Sequence, residues 1–181
     1  MKNLIITCSI SILLFASCDT NDSNAASAEL KLVTSSNTTG KITYTDLLAA
    51  SPMVKSFTVG SLDSEGISYN SETDAITVAS RTNNRLESYT GIKSALTAGT
   101  DNLILSLSSV TGEFNNARET AVSGDKVVVT QDQLVSNGLI NKLFVYQKTT
   151  VGFILLNTYT TNFKLWGIHM VGDDLYAVVD L

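Results

Sequence analysis

The sequence predicts an all-β fold. Three observations lead there: β-branched residues dominate the apolar positions, a single Pro stands beside 11 Gly amid many Ser, Thr and Asn, and apolar and polar residues alternate through short runs separated by polar turns. Of the 181 residues, 44% are hydrophobic and 16% charged, with a formal net charge of -5. That balance supports one globular core and points neither to disorder nor to a membrane-embedded body. The charge is scattered, and no run of Lys or Arg offers the electrostatic footprint of nucleic-acid binding, so nucleic acid is not an expected partner.

The first 29 residues stand apart from the strand-rich remainder. "MKNLIITCSISILLFASC" places Lys2 in a short n-region, an apolar stretch from Leu4 to Phe15, then Ala16 and Ser17 directly before Cys18, which is the layout of an export signal. The stretch is about 12 residues long, whereas a bilayer-crossing helix needs roughly 20, so residues 1–17 read as a leader that is removed. Leu14-Phe15-Ala16-Ser17-Cys18 resembles a bacterial lipobox, although Phe15 departs from the aliphatic residue that pattern prefers. The resemblance implies a lipidated Cys18 with cleavage just before it. Residues 18–29 are polar and small and read as a flexible tether. Asp19 and Asp22 in it resemble the acidic export tag of Bacteroidota-type lipoproteins. This implies a membrane partner reached through the lipid anchor, and a cell-envelope location on the periplasmic or surface-exposed leaflet of the outer membrane. Cys8 lies in the leader, leaving the mature chain no second thiol for a disulfide or a metal.

From residue 30 onward the elements recur in a fixed order. Strand centres at Val33 ("LKLVTS"), Val78 ("AITVAS"), Val129 ("KVVVTQ") and Val178 ("LYAVVD") are separated by 45, 51 and 49 residues. After the first three, a polar turn leads to "GKITY", "NRLESY" and "NKLFVY", ending at Tyr44, Tyr89 and Tyr146. Ahead of the last three stand "EGISYN" from Glu65, "ETAVSG" from Glu119 and "WGIHMVG" from Trp166, and each unit closes on "KSFTVGS", "LILSLSS" or "FILLNTYTT". One unit is therefore four short antiparallel strands, and at this period such units form the blades of a β-propeller. A single four-stranded sheet cannot bury both faces, whereas radial stacking buries each against its neighbours. A β-sandwich is the rival all-β arrangement.

The text "SEGISYNSETDAITVASRTNNRLESYTG" resembles blades of the NHL-repeat and lactonase-like propellers, a likeness of short motifs that covers about residues 30–181. The glycine-led "EGI" and "WGI" strands are expected to line the axis. Residues 30–181 then form an incomplete propeller of about three blades, in which the first copy lacks its inner strand and the fourth has two strands. Closed propellers have at least about four blades, so the chain is expected to be a fragment of a longer protein, or else an open assembly completed by oligomerisation.

Catalysis has few candidates. A Ser-His-Asp arrangement needs a base, and the only His is His169 inside "WGIHMVG"; G-x-S-x-G, P-loop and dinucleotide fingerprints are missing. No catalytic, cofactor-binding or metal residue is assigned, and no cofactor is expected. The oxygen-rich stretch "LDSEGISYNSETD" would suit Ca²⁺ or Mg²⁺. Asp63 and Glu65 there resemble in position the metal-binding Glu of gluconolactonase-type propellers, with Glu119 at the equivalent place one blade later, yet the spacing matches no EF-hand loop.

In an up-and-down blade, the turn between strands two and three opens on the same end as the loop leaving strand four. Arg81, Asn83, Asn84, Asn115, Asn116, Arg118 and Asp132 are accordingly expected on one face, the face on which propellers bind. A longer loop in the third copy, "QDQLVSNGLIN", falls there too. Two functions follow: a lipid-anchored module that binds or scaffolds an extracellular protein or glycan, or part of a metal-dependent lactonase-like hydrolase.

Overall fold

The computed structural model describes residues 30–134, 138 and 140–180; the leader, Cys18 and the tether lie outside them, as does part of the longer loop. Among the described residues, thirteen strands and one helix follow in order: β1 Lys31–Ser35, β2 Lys41–Asp46, β3 Val54–Thr58, β4 Ser64–Asn70, β5 Ala75–Ser80, β6 Arg85–Thr90, α1 Ile92–Ala98, β7 Ile104–Ser108, β8 Ala117–Ser123, β9 Lys126–Gln131, β10 Lys142–Lys148, β11 Phe153–Thr160, β12 Lys164–Val171 and β13 Asp174–Asp180. They form four antiparallel sheets of three, four, four and two strands, β1–β3, β4–β7, β8–β11 and β12–β13, each paired in chain order.

The core lies between the sheets rather than within any one of them. Ile42, Tyr44 and Phe57 of the first sheet interlock with Ile76, Val78 and Tyr89 of the second. On the second sheet's other face, Ala79 and Leu86 meet Val127, Val129, Phe144 and Tyr146 of the third. Ala121 and Val128 of the third sheet then take Met170 of the fourth. Strand β5, buried along its whole length, serves both of its interfaces, which is why "AITVAS" loses the alternation of a one-sided strand. Each fully buried large apolar side chain contributes about 1.5–3 kcal/mol. The first strands of successive sheets, β4, β8 and β12, lie side by side, and β1 flanks β4. This successive stacking about the inner strands makes the fold a partial β-propeller, with sheets that are its blades.

The inner strands β4 and β8 touch through backbone. A Cβ on Gly66 would stand 2.3 Å from the Thr120 amide nitrogen, and Gly66 has φ 56°, a conformation that costs glycine least. Gly66 is also the extra residue of a bulge, because Glu65 pairs with Ala79 while Ile67 pairs with Val78. The same irregularity recurs between Ala117 and Thr120 in β8 and at Trp166 in β12, where Leu165 pairs with Val179 and Gly167 with Val178. Pairing register therefore corrects two sequence equivalences. Arg118, not Glu119, takes the position of Glu65, and Trp166, not Gly167, takes that of Gly66.

One helix interrupts the all-strand expectation. In α1 the buried Ile92 and Ala95 face the core, and left-handed Gly91 and Gly99 bound the element, the Gly99 amide donating to the Ala95 carbonyl. The segment "IKSALTA" mixes good helix formers with an i, i+3 apolar pair, and its flanking glycines start and stop it.

Candidate functional site

The turn after β5, the start of β4 and the segment leading into β8 meet at one end of the molecule. Arg81 organises them. Its amide donates to the Asp63 carbonyl at 2.8 Å, its Nη1 donates to Glu65 Oε1 at 3.1 Å and its Nη2 to Asn116 Oδ1 at 2.5 Å. Nε lies 3.6 Å from Asp63 Oδ2. The guanidinium thus spans two blades with its fork pre-oriented, as its rigid planarity allows.

Asn116 extends the array into the third blade. Its Nδ2 donates to the Asp132 carbonyl at 3.2 Å, and the Asp132 amide returns to the Asn116 carbonyl at 3.2 Å. With φ 47°, Asn116 occupies the left-handed region that Asn tolerates better than most residues. Arg118 follows on the bulge of β8, its Nε 3.9 Å from Asp132 Oδ2 and its guanidinium 4.5 Å from the centroid of Trp166 on β12. Lys164 Nζ lies 5.4 Å from the same ring, so an indole bracketed by two cations bridges the third and fourth blades.

The seven residues expected on this face fall into three groups. Arg81, Asn116, Arg118 and Asp132 form the connected array. Asn115 is exposed beside it, its amide donating to Gln131 Oε1 at 2.9 Å. Asn83 and Asn84 occupy the neighbouring turn, but Asn83 turns its amide inward to Glu87 Oε1 at 2.8 Å, and Asn84 serves the turn through φ 47° while its carbonyl accepts from Gly112 at 2.8 Å.

Asp63 and Glu65 converge on Arg81, and among the described residues no three His, Cys, Asp or Glu side chains gather as metal ligands. Burial raises the Glu119 carboxyl above its ordinary range; Arg118 opposes this, while Glu65 and Asp132 add to the rise. His169 is exposed on β12, where it pairs with Tyr176.

Sequence reasoning missed Trp166, Lys164 and Glu87. Trp166 carried a signal, a large aromatic at the start of an inner strand, but only the bulge turns it to Arg118. Glu87 is 0% exposed and accepts from Asn83, from Arg85 Nε at 2.9 Å and from the Tyr89 hydroxyl at 2.5 Å. In "NRLESY" it reads as a surface residue.

Chemically, the face presents guanidinium and amide donors, carboxylate acceptors and one indole surface, all on the ends of rigid strands. Such groups can orient a polar or hydroxyl-rich partner. No protein-family profile matches the chain. Comparison with curated proteins also returns no match.

Proposed function

We propose that the protein is a lipid-anchored propeller-type module of the bacterial cell envelope, held by acylated Cys18, that binds or scaffolds an extracellular protein or glycan through its Arg81 to Arg118 face. The observation that carries the reading is the continuous array from Arg81 through Asn116 and Asp132 to Arg118 and Trp166, which gathers donors and an aromatic surface from three blades. Conserving orientation across blades is what a recognition surface on a rigid scaffold requires. The anchor is supported by the layout of residues 1–18.

Two measurements test it. Titration with a panel of soluble oligosaccharides and envelope proteins, followed by amide chemical shifts, is expected to perturb residues 81–85 and 115–118 and to lose that response in Arg118→Ala. Perturbation confined to the opposite end of the blades would sink the assignment of this face. For the anchor, Cys18→Ala is expected to move the protein from the membrane to the soluble fraction, and unchanged partitioning would reject it.

A further inference from the structure

We infer that the end of blade one opposite the Arg81 face rests on a phospholipid bilayer, with Leu48, Met53 and Val54 entering the interface. The inference rests on the anchor reading above and adds a docking surface and an orientation to it. Met53 is 80% exposed, Val54 70% and Leu48 55%, unusual for large apolar side chains set so close together in the 47–54 segment. Met53 and Val54 line, with Ala49 and Leu96 of α1, an apolar groove of about 490 Å³. The charges at its margin are neutralised in place: Lys31 with Asp46 at 2.5 Å and Lys55 with Asp101 at 2.6 Å. Few unpaired charges would need to be desolvated, so apolar burial governs what this surface does.

Topology sets the direction of the patch. The turn between β1 and β2 lies at the Arg81 end, since the Gly40 amide donates to the Leu62 carbonyl at 3.2 Å and the Ser64 amide to the Ser36 carbonyl at 3.2 Å. Strand β2 then runs away from that end, about 20 Å at strand rise, to the 47–53 loop. The chain arriving from Cys18 joins the blade at this far end, where the Leu47 amide donates to the Leu30 carbonyl at 2.8 Å. About 12 residues separate Cys18 from β1, a reach of at most about 40 Å when extended. That reach lets the apolar patch settle on the bilayer that holds an acylated Cys18, and burial of the patch there leaves the polar face pointing away. Interfacial elements sink apolar side chains about 5–10 Å into the headgroup boundary, which is within the reach of Leu48 and Met53. A second contact of this kind reinforces an acyl anchor.

The test uses the full acylated chain reconstituted in phosphatidylcholine vesicles. Leader removal discards Cys8 and acylation blocks Cys18, so Met53→Cys or Asn115→Cys offers one thiol for a bimane label. Brominated lipids are expected to quench the label at position 53 and to leave that at 115 bright. Equal quenching at both positions in vesicle-bound protein would leave the anchor standing and overturn the docking surface. Protection of position 53 that persists without vesicles, together with a doubled mass in solution, would assign the patch to a second copy and likewise overturn it. A chain that takes label at Cys8 or Cys18 and fails to float with vesicles refutes the anchor, and the docking surface with it. Because these side chains are exposed, Leu48→Asp with Met53→Asp is expected to keep the circular dichroism of the parent while losing the quenching of a label placed at Val54→Cys.

Discussion

Gly66 shows how one residue governs the spacing of two blades. Adding a methyl group would place carbon 2.3 Å from the Thr120 nitrogen and 2.6 Å from the Glu119 carbonyl carbon, both backbone atoms that cannot swing aside. Gly66→Ala is expected to destabilise the fold by about 2–4 kcal/mol through overpacking and left-handed strain, measured by urea denaturation. Glu87 gives a second case, a buried carboxylate whose three donors would be left unpaired by Glu87→Ala. The expected loss is about 2–3 kcal/mol, and a double-mutant cycle with Tyr89→Phe checks it, because the coupled pair should lose less than the sum of the single changes. Burial and then the Glu87 hydrogen bond hold the Tyr89 hydroxyl well above the ordinary tyrosine range, so it stays a donor at neutral pH. Burial raises the Glu119 carboxyl as well. Its raised pKa means that ionisation is harder in the folded state, so its contribution is fully present below the ordinary carboxylate range and is lost as pH rises through the elevated folded value. Glu119→Gln is therefore expected to match the parent's stability in acid and exceed it at neutral pH, read from melting temperatures across that range.

At the scale of elements, the four blades are unequal in support. The second and third are packed on both faces, whereas the β12–β13 hairpin is held to the third blade by Met170 with partly buried Ile168 and Leu175. Local stability follows contact with the core, so amides of β12 and β13 are expected to exchange hydrogen faster than those of β5 and β9. Met170→Ala should quicken exchange in 164–180 further, with a local cost of about 2–3 kcal/mol, and leave β5 unchanged; uniform acceleration across the molecule would show that the blades unfold as one unit. The recurrent bulge in β4, β8 and β12 explains why sequence alignment slipped by one residue there. Strand strings such as "EGI" and "WGI" look equivalent by letter, but an inserted bulge residue shifts the face each side chain meets. The helix α1 was illegible for a related reason: seven residues between two strands carry too few turns to outweigh the surrounding strand signals.

For the whole molecule, one end gathers the Arg81, Asn116, Arg118 and Trp166 array, while the far end of blade one carries exposed Leu48, Met53 and Val54 beside Leu30, where the chain enters β1. This polarity predicts that Arg118→Ala alters partner binding without changing membrane association, and that Cys18→Ala does the reverse, separable by flotation and by shift titration on the same preparations. Sequence by itself determined the all-β class, the strand strings and their grouping into units of four, because period-two alternation and a repeat near 50 residues are local and additive along the chain. It also placed Arg81, Asn116, Arg118 and Asp132 at one end, since up-and-down connectivity follows from strand order. Only the tertiary structure decided that Asn83 turns inward to a buried Glu87, that Arg118 rather than Glu119 stands in register with Glu65, and that Trp166 joins the array from the fourth blade. Those outcomes depend on bulges and on backbone contact between blades, where distances of a few ångströms across residues some 50 positions apart outweigh any preference written locally.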